Sequence, residues 1–183
     1  MELRKAEKKD RPAIRRLYKS AFPFRERKPF FMLMQKRNQP GVLVLDDGGF
    51  CGFVSMIRVK DILYIGYLAI DPLMRGQNYG SRILGLLKEK YPEMRIMLEI
   101  ERLDENAPNK EQRKRRRIFY HRNGFISSDL FVYVIHCEFE ILTMNGKITF
   151  QEYEEALRAD FGPAVYRFIK KPSRMEGYAE GTV

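Results

Sequence analysis

The chain has 183 residues, of which 34 are Lys or Arg and 24 are Asp or Glu, so its formal net charge is +10. This length fits one domain, and a hydrophobic content of 44% argues against a disordered chain. No apolar run reaches the ~18 residues of a membrane-spanning helix. We therefore expect a cytoplasmic protein with a single domain over residues 1–183, of which residues 145–183 form a C-terminal helical extension and a frayed tail.

The positive charge raises the local concentration of anions around the molecule without identifying the anion. Nucleic acid, a phosphorylated cofactor and an acidic surface all stay open. Two cysteines and two histidines are too few for a disulfide framework or a dedicated zinc site. We therefore expect buried free thiols and no metal.

The first forty residues predict a short edge strand followed by two helices. Residues 1–8 form the strand, and Asp10 is placed as the N-cap of a helix that has a proline just inside its start and ends before Pro23. Residues 24–39 mix aromatic and basic side chains and predict the second helix, which ends at a Gln-Pro-Gly break.

The central strands are predicted by apolar runs between turn residues. The apolar segments 41–45 and 50–57 flank the sequence Asp-Asp-Gly-Gly, which predicts a hairpin. Residues 62–70 form the most apolar run of the chain, and both faces of this strand are expected to be buried. Gly66 in its middle suggests a bulge or a close approach of another backbone.

A polar loop over residues 75–81 connects this strand to a helix over residues 82–90 and then to a strand over residues 95–101. Such a connection predicts a right-handed crossover and a parallel pair of strands. The positive end of a helix that follows a buried strand can bind an anion, and the glycines of the loop allow close approach. A polar connector without a ligand is the alternative interpretation.

The last part of the chain continues the alternation of helices and strands. We predict a very basic helix over residues 109–122, two strands over residues 125–144 that break near His136, and an amphipathic helix over residues 150–161. Residues 177–183 form the predicted frayed tail.

Three segments resemble one family of enzymes. Residues 75–80, RGQNYG, resemble the R/Q-x-x-G-x-G/A pyrophosphate loop of the Gcn5-related N-acetyltransferase (GNAT) family. Residues 119–125, FYHRNGF, are similar to its F/L-Y-x-x-x-G-F segment, and residues 98–101, LEIE, to its L-E-V/I-x strand. The likeness extends over roughly residues 1–144. Asn78 replaces the first glycine of the family loop, and Asn tolerates a positive φ better than most residues.

The resemblance implies an α/β fold, with a mixed, mostly antiparallel sheet that contains a parallel, splayed strand pair and is flanked by helices. It implies transfer of an acetyl group from acetyl-CoA to a primary amine by direct attack on the thioester, with the pantetheine between the strands at residues 62–70 and 94–101. The cofactor-binding residues that it implies are Leu68, Ala69, Ile70, Arg75, Gly76, Gln77, Asn78, Tyr79, Gly80 and Ser81.

The resemblance also implies two catalytic residues. Tyr120 matches the tyrosine that lies near the cofactor sulfur and can protonate the departing thiolate, and core packing is the alternative role. Glu99 matches a base that accepts the amine proton, whose removal at pH 7 costs about 4–5 kcal/mol for a pKa of about 10.4. Glu101 on the same strand face, or a water, could take this role, and both carboxylates could instead be solvated strand residues.

Two other functions stay open. One is a catalytically silent domain that binds or senses acyl-CoA, for which Asn78 is the best support, and the other is a basic RNA- or ribosome-associated protein. The run from Lys110 to Arg117 has no aromatic residue before Phe119, so a solvated helix face is favoured over a nucleic-acid arm. Contact of some of its arginines with the 3′-phosphate of CoA or with an acidic acceptor is a further alternative.

The partner that we expect is therefore a small-molecule or peptide amine. Nucleic acid is less favoured, no membrane partner is expected, and a homodimer stays open. The segment at about residues 22–40 and the loops after residue 101 are expected to form the acceptor pocket.

Overall fold

The structure is a computed structural model that describes residues 1–35, 39–168 and 171–175. Its strands are β1 (Glu2–Lys5), β2 (Pro40–Asp46), β3 (Phe50–Val59), β4 (Ile62–Ile70), β5 (Arg95–Glu101), β6 (Ile126–Val134), β7 (Cys137–Met144) and β8 (Ser173–Arg174). Its α-helices are α1 (Arg11–Ala21), α2 (Phe30–Leu33), α3 (Tyr79–Lys90), α4 (Lys110–Arg122), α5 (Phe150–Phe161) and α6 (Pro163–Tyr166). Among the described residues, every helix is too short or too polar to serve as a membrane span.

The strands of the described residues form a mixed α/β sheet flanked by helices, and the predicted combination of mostly antiparallel pairing with one parallel pair is confirmed. A two-residue turn joins β3 to β4, which therefore run antiparallel, whereas α3 connects β4 to β5. The parallel pair is thus β4 and β5, as the crossover predicted. Its splaying stays a prediction.

The chain divides into two compact units. The first unit, Met1–Arg58 with Ile65–Glu93, contains β1, β2, β3 and most of β4 in that order across the sheet. The side chains of its core are Ile14, Leu17, Tyr18, Leu33, Val42, Val44, Phe53, Tyr67 and Ala69. This division leaves the single domain over residues 1–183 a prediction.

The second unit, Val59–Tyr64 with Met94–Val183, contains the start of β4 and then β5, β7, β6 and β8 in that order across the sheet. In the antiparallel pair of β5 and β7, Glu99 lies opposite Ile141. The buried apolar side chains of this unit include Ile96, Leu98, Ile100, Ile141, Leu142, Tyr153 and Leu157.

The start of α1 differs in detail from the prediction. Asp10 occupies the N-cap position, but its side chain makes no capping hydrogen bond. Its carboxylate instead accepts hydrogen bonds from Arg4 Nη1 at 2.7 Å and from the backbone N–H of Glu7 at 2.8 Å. The hydrogen bond from Arg4 lowers the pKa of Asp10. Because Arg4 belongs to β1, the same hydrogen bond connects β1 to the start of α1.

The predicted helix over residues 24–39 is wrong. The chain forms only a 3₁₀ turn at Phe24–Glu26 and the single turn of α2. Pro29 lies between them, and a proline disfavours helical backbone at the residue before it. Residues 36–38 of the predicted helix lie outside the described residues.

The first strand, predicted over residues 1–8, covers only Glu2–Lys5 and is followed by a 3₁₀ turn at Lys8–Asp10. Several other boundaries agree closely with the prediction. Strands β4 and β5 and helix α5 have the predicted limits. Helix α3 begins at Tyr79, three residues before the predicted start. The predicted frayed tail, residues 177–183, lies outside the described residues.

Candidate functional site

The loop after β4 turns twice through left-handed backbone before it enters α3. The carboxylate of Asp71 accepts a hydrogen bond from the backbone N–H of Leu73 at 3.0 Å, which begins a 3₁₀ turn. Gly76 then has φ of +78° and Asn78 has φ of 64°. The positive φ that Asn78 was expected to tolerate is therefore present, and the loop forms without the glycine of the family pattern.

The N-terminus of α3 lacks a side-chain cap. Asn78 occupies the N-cap position, but its side chain accepts no hydrogen bond from the first turn. The backbone amides in the first turn of a helix have no partner within the helix and carry the positive end of its dipole. A Cβ built on Gly76 would meet no atom within 4 Å, so the backbone there is open. These features suit an anion that is bound by main-chain N–H groups.

The side chains of this segment differ in exposure. Arg75, Gln77 and Asn78 are exposed, whereas Gly80 and Ser81 are half-buried. The Nε2 of Gln77 lies 3.5 Å from the carbonyl oxygen of Leu73, at the limit of a hydrogen bond. The exposed side chains can therefore contact a ligand from the solvent side of the loop.

Tyr79 anchors the start of α3 through its side chain. Its hydroxyl donates a hydrogen bond to Asp47 Oδ2 at 2.9 Å, in the turn between β2 and β3. This hydrogen bond raises the pKa of Tyr79 and lowers that of Asp47. The Arg82 guanidinium lies 5.3 Å from the centre of the Tyr79 ring. The side chain of Tyr79 is therefore engaged within the protein, and a cofactor would contact this residue through its backbone amide.

The end of β4 packs closely against β3. Leu68 and Ile70 are half-buried and Ala69 is buried. A Cβ built on Gly52 would lie 2.5 Å from the carbonyl oxygen of Ala69, so only glycine fits at this point of β3. This contact fixes the backbone of the predicted cofactor strand. The sequence analysis missed Gly52, although a glycine inside a strand is the known signal of a close backbone approach.

In the second unit, Glu99 is held by a buried tyrosine. The Tyr153 hydroxyl of α5 donates a hydrogen bond to Glu99 Oε1 at 2.7 Å. Burial, together with the neighbouring carboxylate of Glu99, raises the pKa of Tyr153 well above its usual value, so this hydroxyl remains a donor. The sequence analysis assigned Tyr153 only to the apolar face of its helix. A buried tyrosine usually has a hydrogen-bond partner, and this expectation could have found the pair.

Glu101 has a different environment from Glu99. Arg116 Nη1 donates to its Oε2 at 2.8 Å, and Arg113 Nη2 lies 3.3 Å from its Oε1. The Asn109 side-chain amide donates to the same carboxylate at 3.1 Å. Glu101 is thus paired with two arginines of α4, whereas the hydrogen bond to Glu99 described above comes from a tyrosine.

Tyr120 lies in α4 with an exposed fraction of 9%. Its ring packs edge-on against Phe119 and Phe125, with ring centroids 5.0 and 5.6 Å away. Burial raises the pKa of Tyr120 to about 12, so the hydroxyl keeps its proton. No hydrogen bond joins this hydroxyl to any residue in the described part of the chain. The ring therefore contributes to packing, whereas the hydroxyl serves no evident structural purpose.

The basic run of α4 is solvated only in part: Lys110 and Arg115 are exposed, whereas Arg113 and Arg117 are half-buried. Except for Arg115, its basic side chains lie within 4 Å of carboxylates of the second unit. The pairs are Lys110 and Lys114 with Glu105, Arg113 and Arg116 with Glu101, and Arg117 with Glu140. Glu140 is only 2% exposed, so one of these pairs is deeply buried.

Comparisons with known proteins agree with this geometry. Residues 38–127 match the family model of the acetyltransferase (GNAT) domain. The structure is similar to a Bacteroides thetaiotaomicron protein assigned to the GNAT acetyltransferases, at 22% identity over 91% of this chain and 98% of that chain, with a TM-score of 0.68. Among curated protein sequences, no match is found.

Two further solved structures share the fold. The ribosomal-protein-S18-alanine N-acetyltransferase of Escherichia coli is 16% identical over 81% of this chain and 95% of that chain, with a TM-score of 0.59. The aminoglycoside 6′-N-acetyltransferase of Enterococcus faecium is 13% identical over 79% of this chain and 96% of that chain, with a TM-score of 0.60. At such identities the likeness establishes the fold.

Proposed function

Because residues 38–127 belong to the family of GNAT acetyltransferase domains, we propose that this protein transfers the acetyl group of acetyl-CoA to a primary amine by direct attack of the amine on the thioester. The observation that carries the proposal is the uncapped N-terminus of α3, which follows two residues in left-handed conformation. An open loop of this kind is suited to hold a diphosphate, and acetyl-CoA carries a diphosphate and a reactive acyl group.

The first unit would bind the cofactor. The amides at residues 76–81 would donate hydrogen bonds to the pyrophosphate, and the exposed Arg75 would add positive charge beside it. Leu68, Ala69 and Ile70 would provide main-chain groups for the pantetheine and a donor for the thioester oxygen, where negative charge develops during attack. The close contact of Gly52 with Ala69 supports this role because it holds the strand in place.

The second unit would supply the groups that accept the proton of the amine and donate a proton to the leaving sulfur. Glu99 would accept a proton from the ammonium group of the acceptor, directly or through a water, since only a neutral amine can attack. The hydrogen bond from Tyr153 would act on the orientation of Glu99, which makes Tyr153 a positioning residue. Tyr120 would donate a hydrogen bond, and finally a proton, to the departing sulfur. Its hydroxyl is protonated and makes no hydrogen bond with the described residues.

Binding of the cofactor is tested by titration calorimetry with acetyl-CoA. At Gly76 an alanine side chain has room, but φ of +78° strains it. We expect Gly76→Ala to bind acetyl-CoA about 5- to 30-fold more weakly, because left-handed backbone costs about 1–2 kcal/mol in an L-residue. Gly85→Ala is the matched control, since Gly85 also has open space but lies within α3. Equal affinity of the two variants would contradict the assignment of the loop.

Activity is tested by release of free thiol from acetyl-CoA in the presence of a panel of amines: a peptide with a free N-terminus, a polyamine and an aminoglycoside. Thiol release with one of them supports the enzyme and identifies the class of acceptor. Binding of acetyl-CoA without thiol release for any amine supports the second candidate, a silent acyl-CoA-binding domain. Asn78 in the loop, in place of the family glycine, is the observation that favours that candidate.

A further inference from the structure

The solvent side of α1 carries a cluster of basic residues. Arg11, Arg15, Arg16 and Lys19 are all exposed, and their spacing places them along one side of the helix over about 12 Å. None of them pairs with a carboxylate among the residues that the structure describes. We call these four residues, with the aromatic side chains of Phe24 and Phe31, the α1 face.

This distribution of charge differs from that of α4. The basic run of α4 is denser in sequence, but three carboxylates of its own unit lie within 4 Å of five of its cations and cancel three of its six positive charges. In the described part of the first unit, the α1 face brings four cations without an ion pair to one side of a helix, whereas other exposed cations such as Arg75, Lys88 and Lys90 lie on other elements. An anion that approaches the α1 face therefore meets charge without displacing an internal carboxylate.

Aromatic rings lie at both ends of the basic cluster. Near Arg11 and Arg15, Phe31 is 68% exposed, and the Arg15 guanidinium lies 5.7 Å from the ring centre of Phe30. Two open depressions of about 630 and 470 Å³ adjoin there and share the side chains of Arg11, Arg15 and Phe30. A flat ligand could enter them and contact both a ring and a guanidinium.

The opposite end has a second exposed ring. Phe24 is 86% exposed, and the Arg27 guanidinium lies 5.5 Å from its ring centre. Arg27 Nη1 donates a hydrogen bond to the backbone carbonyl of Lys19 at 3.4 Å, which places this pair beside the end of α1. Both rings are therefore accessible to a ligand that also contacts the cations of the α1 face.

We propose that the α1 face binds single-stranded RNA, with its cations on phosphates and with Phe24 and Phe31 stacked on bases. Single-stranded nucleic acid is bound by positively charged grooves in which aromatic rings stack on successive bases. An acidic peptide would pair with the cations but would leave both rings in water. The proposal does not rest on acetyl transfer, although Phe24 and Phe31 lie in the segment that the sequence analysis expects to contribute to the acceptor pocket.

The salt dependence of binding tests the contacts with phosphate. A fluorescein-labelled oligouridylate of twelve nucleotides is titrated with the full chain and followed by fluorescence anisotropy. Four phosphate contacts predict that affinity falls about 50-fold between 50 and 200 mM salt, because the slope for single strands is about −0.7 per contact. For Arg15→Gln/Arg16→Gln, two contacts remain and the same change of salt lowers affinity only about 7-fold.

The matched control removes the same charge elsewhere. Lys88→Gln/Lys90→Gln changes two exposed lysines in the last turn of α3, and we expect it to keep the 50-fold salt dependence of the unaltered chain. If both pairs of substitutions weaken binding equally, or if no binding is detected at 50 mM salt, the proposal is overturned. Circular dichroism of each variant verifies that the fold is kept.

The rings are tested by Phe24→Ala/Phe31→Ala. We expect affinity to fall at least about 30-fold with an unchanged salt slope, because each stacked base contributes about 1 kcal/mol or more and stacking is independent of counterion release. A polyglutamate peptide competes as the probe for an acidic protein partner. If it displaces the oligonucleotide at equal concentration of charge and the ring variant binds as tightly as the unaltered chain, the α1 face is a site for acidic proteins and the RNA proposal is wrong.

Discussion

The stability of the second unit is expected to depend on pH through one carboxylate, that of Glu152 in the first turn of α5. Its Oε1 accepts a hydrogen bond from Arg95 Nη2 at 2.5 Å, and its Oε2 accepts from the backbone N and the Oγ1 of Thr149, each at 2.9 Å. The hydrogen bond from Arg95, with smaller contributions from the two donors of Thr149, lowers the pKa of Glu152 to about 2 against the opposing effect of burial. An unfolded chain has no such donors.

The size of the effect follows from linkage between protonation and folding. A carboxylate with a lower pKa in the folded state stabilises the fold above its unfolded pKa, and this contribution is lost as the pH falls through the folded pKa. The depression from 4.5 to about 2 corresponds to about 3 kcal/mol. Because the Glu152 side chain is 25% exposed, we expect solvent to screen this to about 2 kcal/mol. The stabilisation is complete above about pH 5 and decreases toward pH 2.

The test is urea unfolding of Glu152→Gln, followed by circular dichroism at pH 7 and pH 3. Glutamine keeps an oxygen for the capping box with Thr149 but removes the charge. We expect a loss of about 2 kcal/mol in the free energy of unfolding at pH 7 and about 1 kcal/mol at pH 3. Glu155→Gln is the control in the same helix, because the ion pair that Glu155 makes among the described residues is with the well-exposed Lys60. Equal losses for both variants, or a difference that does not shrink in acid, would refute the reasoning.

Three further substitutions test the site and the strand that holds it. Tyr120→Phe is expected to lower kcat by about 100-fold or more without changing the KM for acetyl-CoA, as measured by thiol release. Glu99→Gln is expected to give a kcat/KM that rises about tenfold per pH unit toward the amine pKa of about 10.4. The reason is that the variant has no base to deprotonate the ammonium group, so its rate follows the fraction of neutral amine in solution. Gly52→Ala is expected to lower the free energy of unfolding by about 1–3 kcal/mol through the clash with Ala69, whereas Gly49→Ala is neutral.

Matched controls separate these effects from general damage. Tyr91→Phe removes a hydroxyl from a half-buried tyrosine at the end of α3, and it is expected to keep full activity. The melting temperature of Tyr120→Phe is expected to stay unchanged, because its hydroxyl makes no hydrogen bond with the described residues. Unchanged turnover of Tyr120→Phe, or a flat pH profile shared by Glu99→Gln and the unaltered chain, would remove that residue from the mechanism.

The parts of the fold that sequence could predict are those in which local signals agree. Strand β4 is apolar on both faces and ends at Asp-Pro, and α5 begins with a Thr149–Glu152 capping box, so the boundaries of both elements are well defined. The helix predicted over residues 24–39 lacked such agreement. Its apolar spacing was weak, and Pro29 inside it disfavours a continuous helix.

The parts of the site that sequence could not predict depend on contacts between distant residues. The loop at residues 75–81 is local, so its left-handed residues and the helix after it could be expected from glycine and asparagine positions. The pair of Glu99 and Tyr153 joins residues that are 54 positions apart, and no local pattern relates them. The difference between Glu99 and Glu101 likewise depends on arginines of another element.

The charges of the chain illustrate the same limit and have a consequence for function. The run in α4 is conspicuous because its cations are adjacent in sequence, yet Glu101, Glu105 and Glu140 cancel three of its six positive charges. The cations of α1 alternate with apolar residues that face the core, except for the adjacent Arg15 and Arg16. That they share one side of the helix becomes clear only when the helical period is applied. Because the field at a surface follows the net charge nearby, four cations without a paired carboxylate among the described residues are expected to make α1 a surface that attracts anions.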